Sequence, residues 1–138
     1  MPGYKFPKQE RLKSTKAIEL LFSEGQSFAS FPLRIVYTLE QDTEKPFAVR
    51  FAATIPKKKF SKAVQRNRLR RQIKESFRLE KHQLYQSLGE QLNGCINIMF
   101  IYTAPEKLPY QKIERATKYL VKKLAKKILE TEDQKTVS

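Results

Sequence analysis

The chain has little of what most self-sufficient catalysts use. Its 138 residues include one cysteine, Cys95, one histidine, His82, and no tryptophan. A lone cysteine excludes an internal disulfide, and a lone histidine beside it excludes a Cys/His zinc site. Cys95 opens an apolar run and reads as a small buried residue. The only aspartates are Asp42 and Asp133, and the glutamates are scattered. The carboxylate cluster with which a lone nuclease holds magnesium is therefore missing, so no catalytic residue and no metal ligand is expected. Long apolar runs are missing as well. The opening MPGYKFPKQERLKS has no signal-peptide core, and no stretch approaches the ~18 apolar residues of a membrane span. The expected place is the cytoplasm, with no membrane partner.

What the chain does have is positive charge, a formal +14 with a pI near 10. Residues 57 to 78, KKKFSKAVQRNRLRRQIKESFR, hold ten cations against one acid, Glu75, a net +9. The same stretch keeps a helical core pattern, with Leu69, Ile73 and Phe77 recurring every four residues and Leu84 and Leu88 continuing the face. Asn67, Arg71, Lys74 and Arg78 form a stripe facing away from that core. Arg66 projects to the apolar side and should reach past the helix end towards the sheet edge. A basic tail would lack the core stripe, and a solvated helix would mix both signs. A folded helix that repels itself this strongly is explained by a polyanionic partner whose counterions are released on binding. Membrane binding would instead require a broad apolar face with aromatic anchors.

The remaining pattern predicts one domain with a modest core over residues 1–138, its termini 1–8 and 131–138 flexible. Ser14 as N-cap and Gly25 as C′ bracket a helix over residues 15 to 24. Ala17, Leu20 and Leu21 share its docking face, and Ile18 and Phe22 form a second apolar strip. Leu33, Ile35, Tyr37 and Leu39 alternate with Arg34, Val36 and Thr38 as a strand, with a short extension over 27 to 31. Residues 41 to 46 read as a hairpin loop leading into a strand over 47 to 55. Asn93-Gly94 marks a turn before the buried strand 95 to 102. The last helix carries Ile113, Thr117, Leu120, Val121, Leu124 and Ile128 on one face and lysines over the rest.

This order, with IPKKKFSKAVQRNRLRRQIKESFR, resembles the protein subunit of bacterial ribonuclease P. The matching pieces are RLKSTKAIELLFSEGQSF at 11 to 28, PKKK at 56 to 59, AVQRNRLRRQIKESFRL at 63 to 79, and the final strand and helix. Arg66-Asn67-Arg68 stands where the family carries its signature tripeptide. The resemblance implies an α+β single domain, a mixed four-stranded sheet with helices packed on it in the order αβββαβα. A left-handed βαβ crossover, as in ribosomal protein S5 domain 2-like folds, is implied with it. It also implies an accessory protein of an RNA catalyst, an endoribonuclease that removes the 5′ leader of precursor tRNA. The RNA mainly holds the Mg2+, and no obligate protein partner is implied.

Site residues follow from the same resemblance. Binding to ribonuclease P RNA falls to Lys57, Lys58, Lys59, Lys62, Arg66, Asn67, Arg68, Arg70, Arg71 and Lys74. The precursor-tRNA leader is assigned to a cleft between the first helix and the sheet, with Ile18, Phe22, Ile35 and Tyr37 as candidates. A tyrosine on an alternating strand can stack a nucleobase and hydrogen-bond to it. On the residues alone, each of these four reads equally as ordinary core. Ile18 departs from the family, many of whose members carry an aromatic there. The rival reading is a non-catalytic RNA-binding protein, such as a ribosomal or ribosome-assembly factor, which needs no leader cleft.

Overall fold

The computed structural model describes residues 10–137 except 42, 43, 45, 90 and 91, with side chains described up to residue 130. Its elements are α1 (Thr15–Glu24), β1 (Gln26–Ser30), β2 (Leu33–Gln41), β3 (Ala48–Thr54), α2 (Ala63–Leu88), β4 (Gly94–Tyr102) and α3 (Tyr110–Val137). The Ser14 hydroxyl caps α1 by accepting from the Ala17 amide at 3.3 Å. Gly25 ends the helix with φ −68°, so it is not the left-handed C′ residue the sequence suggested. Its lack of a side chain serves close approach instead: a Cβ there would lie 2.7 Å from Val36 Cγ1 and against the Leu21 carbonyl. Gly94 does occupy the left-handed region, at φ 108°, where the Asn93-Gly94 turn was expected.

The sheet order is β1-β2-β4-β3, with β4 antiparallel to β2 and parallel to β3. This corrects the expected hairpin over residues 41 to 46, because β2 and β3 do not pair. The reason is visible in β4, CINIMFIY after Gly94, which is buried on both faces along nearly its whole length. A strand apolar on both faces is stable only at the centre of a sheet, so the connection from β2 must pass over it to the far edge. The return from β3 to β4 is made by α2. Of the termini, residues 1–8 lie outside the described residues, and α3 continues as helix to Val137.

Both long helices lie on one face of the sheet. Leu69, Ile73, Phe77, Leu84 and Leu88 of α2 and Ile113, Leu120, Val121, Leu124 and Ile128 of α3 share a core with Leu33, Ile35, Tyr37, Phe51, Ile98 and Phe100. Phe51 stacks on Phe77 at 4.0 Å between centroids, which fixes β3 beneath the middle of α2. Thr117 of the last helix's apolar face is fully buried and shares a 2.7 Å hydrogen bond with Ser76 of α2. The opposite face is covered more thinly. There α1 contributes Ala17 and Leu21 to a small cluster with Leu12, Val36 and Met99, flanked by Ile18, Ala52 and Ile101. Cys95 is buried, as its apolar context predicts.

Candidate nucleic-acid interface

The basic helix is built so that its cations leave the core. Phe60 anchors the approach to α2, buried edge-on against Tyr102 at 5.7 Å. Lys62 is the N-cap and makes no side-chain capping bond. The backbone around it is satisfied from further along: the Arg66 guanidinium donates to the carbonyls of Phe60 and Ser61, both at 2.8 Å. Arg66 therefore reaches past the helix end, but to the loop that presents Lys57 and Lys58 to solvent and not to the sheet edge. Lys59 closes the other side of that loop by donating to the Thr103 carbonyl at 2.9 Å.

One turn on, Arg70 ties α2 to the sheet edge. Its Nε donates to the Ala53 carbonyl at 3.3 Å and its terminal nitrogen to Asn67 Oδ1 at 2.7 Å. Arg68, Arg71 and Lys74 are left exposed beside it. Arg68, Arg70, Arg71 and Lys74 line one open groove along the β3 edge, and its opposite wall is the segment carrying Arg11 and Lys13. The single acid on this part of α2, Glu75, is taken up by Arg78, which donates to it at 2.9 Å and 2.5 Å. That hydrogen bonding holds the Glu75 carboxyl below its ordinary range. Partial burial, and then the neighbouring charges of Arg70, Arg11 and Lys13, push the Lys74 ammonium below the usual lysine value. Like charges pressed together in this way mark a surface shaped for an anion. Arginine suits it, because a planar guanidinium can fork onto phosphate oxygens.

Ten of the sequence-derived cations and their neighbours thus divide by task. Arg68, Arg70, Arg71 and Lys74 face the groove, Lys57, Lys58 and Lys62 are exposed on the segment before α2, and Arg66, Asn67 and Lys59 make the hydrogen bonds that shape the backbone and side chains around them. Arg11, Lys13 and Lys107 also line the groove and were missed. The RLK immediately before the Ser14 cap was the signal for the first two, since a lone hydrophobic between two cations is what an extended segment at a sheet edge shows.

The proposed leader cleft requires a correction. Ile18 is half-buried on α1 against the thin cluster, and Phe22 is 60% exposed on the same helix. Ile35 and Tyr37 are not beside them. Both are buried in the large core on the other face of the sheet, where Tyr37 meets Phe28 edge-on at 6.1 Å. Burial also raises the Tyr37 phenol above its usual value. The cause is the two-residue period of a strand: α1 covers Val36, so its neighbours Ile35 and Tyr37 point away. The face of β2 turned towards α1 carries Arg34, Val36 and Thr38 instead, together with Met99 and Ile101 of β4. Their mixed polarity was the available signal, since the face under one short helix is the one that can remain partly polar.

Among the described residues no group of three His, Cys, Asp or Glu side chains is placed to hold a metal ion. No helix among them is long and apolar enough to cross a membrane. An arginine-lined groove at the edge of a mixed sheet is what an α+β protein of the RNA-binding class presents. Residues 6–125 match the family described as Ribonuclease P. The chain is 34% identical over 115 residues to the ribonuclease P protein component of Porphyromonas gingivalis W83, covering 83% of this chain and 82% of that one. The chain belongs to the ribonuclease P protein family. Its fold is also that of the solved ribonuclease P proteins of Staphylococcus aureus and Thermotoga maritima. The first gives a TM-score of 0.64 at 23% identity, over 85% of this chain and 95% of that one. The second gives 0.63 at 22%, over 83% and 96%.

Proposed function

We propose that this chain is the protein component of ribonuclease P, a ribonucleoprotein endoribonuclease of tRNA processing in the cytoplasm, and that it docks ribonuclease P RNA through the β3-edge groove. The observation that carries the docking surface is the concentration of Arg68, Arg70, Arg71 and Lys74 with Arg11 and Lys13 around one groove whose nearby acid is already paired. The protein's part is electrostatic and positional. The Arg70 guanidinium, fixed by the Ala53 carbonyl and by Asn67, neutralises a phosphate without reorganising. Mg2+ is held mainly by the RNA, which supplies the hydrolytic chemistry. On the other face, α1 offers Phe22 as a stacking ring, with Ile18 beside it, to the single-stranded 5′ leader of precursor tRNA.

The test combines assembly and salt dependence. Full-length protein with its own ribonuclease P RNA should cleave precursor tRNA at the mature 5′ end at low magnesium, and RNA-free protein should leave it intact. Arg68→Ala with Arg71→Ala should flatten the slope of log K against log salt by about 1.4 to 1.8, as two lost phosphate contacts require. An unchanged slope would remove these residues from the interface.

A further inference from the structure

The groove has a wall that α2 does not supply, and that wall is held from inside the protein. Glu10 places its carboxylate on α2, ion-paired with Lys81, whose side chain is only 3% exposed. The Tyr85 hydroxyl donates to the other carboxylate oxygen at 2.5 Å and accepts from the Val49 amide at 3.2 Å. The next residues then run along β3. Arg11 bridges Phe51 in parallel, and the Leu12 amide donates to the Phe51 carbonyl at 2.9 Å. Leu12 is buried, so the extended alternation turns Arg11 and Lys13 outward into the groove. The Ser14 cap fixes the far end.

We propose that Glu10 is a positioning residue for RNA binding: clamped by Lys81 and Tyr85, it holds residues 11 to 13 against β3, so that Arg11 and Lys13 complete a phosphate-binding site with Arg70 and Lys74. The four cations converge on one groove although like charges repel, and burial first, then the charges of Arg70, Arg11 and Lys13, lower the Lys74 ammonium. Something must hold the two on the short segment in place. A surface ion pair would be too weak, but this one is largely desolvated, and opening it costs the buried Lys81 ammonium a charged contact, which is unfavourable. A phosphate diester entering the groove relieves the repulsion that the clamp sustains.

The proposal rests on the groove being the RNA-docking surface, and its test separates the two. Glu10→Gln raises the protein's net charge by one, so simple electrostatics predicts tighter RNA binding. The clamp predicts the reverse. Binding of full-length protein to ribonuclease P RNA should weaken, and the log K against log salt slope should flatten by about 1.4 to 1.8, the loss of two contacts. Arg11→Ala with Lys13→Ala should flatten it equally, and adding Glu10→Gln to that pair should change nothing further. Hydrogen exchange at the Leu12 amide should accelerate in Glu10→Gln while the Ile98 amide stays protected. If Glu10→Gln lowers the melting temperature below the assay range, Glu10→Gln with Lys81→Met removes both charges of the pair and gives the same readout. Arg70→Ala with Lys74→Ala serves as the control on the groove. A flattened slope in the control with an unchanged or steeper one in Glu10→Gln overturns the clamp alone. An unchanged slope in the control overturns the groove reading and the phosphate site with it.

Discussion

The Tyr37 hydroxyl donates to Gln26 Oε1 at 2.9 Å, joining β2 to the edge strand β1 on the face of the sheet away from α1. A ring held there stabilises the fold and is out of reach of an RNA strand lying beside α1. Tyr37→Phe should therefore cost about 0.5 to 1.5 kcal/mol, the net worth of one hydrogen bond, in urea unfolding. Affinity of the assembled ribonucleoprotein for precursor tRNA should not change. A selective loss of precursor affinity at unchanged stability would return Tyr37 to the leader contact.

Phe22 behaves in the opposite way. Its ring is 60% exposed, so Phe22→Ala should move stability by no more than about 0.5 kcal/mol. Losing one stacked base should nevertheless weaken precursor-tRNA binding by about 1 to 3 kcal/mol. Mature tRNA, which has no leader, is the comparison, and equal losses for both would dissociate Phe22 from the leader.

The pair that locks α2 to α3 offers a test of the core. Ser76 and Thr117 hydroxyls meet at 2.7 Å, both fully buried, and Ser76 also donates to the Ile73 carbonyl at 2.8 Å or shares its proton between the two. Ser76→Ala leaves the Thr117 hydroxyl buried without this partner and should cost about 1 to 3 kcal/mol. Ser76→Ala with Thr117→Val removes both polar groups and should recover most of that loss. A denaturation series on the three variants measures the coupling, and additive losses would mean that the two hydroxyls act independently.

Local chemistry by itself determined a great deal. The 3.6-residue spacing of Leu69, Ile73, Phe77, Leu84 and Leu88 required α2, and burial of that face forced its cations outward. Ser14, the alternation from Leu33 to Leu39 and the apolar run of β4, broken only by Asn97, set the neighbouring elements in the same way. Of the groove-facing cations, Arg71 and Lys74 were legible because a helix periodicity fixes direction within a few residues, whereas Arg68 and Arg70 came from the family resemblance. What the sequence left open was every relation between elements. Alternation says that Val36 and Tyr37 face opposite ways, and only the docking of α1 on Val36 decides which of them lies beside that helix. Likewise the chain order places β3 after β2, while burial of both faces of β4 inserts it between them. The clamp that joins Glu10 to Lys81 and Tyr85 spans more than 70 residues of sequence. No local pattern encodes such a contact, because its stability comes from the desolvated interior that exists only after the sheet and α2 have come together.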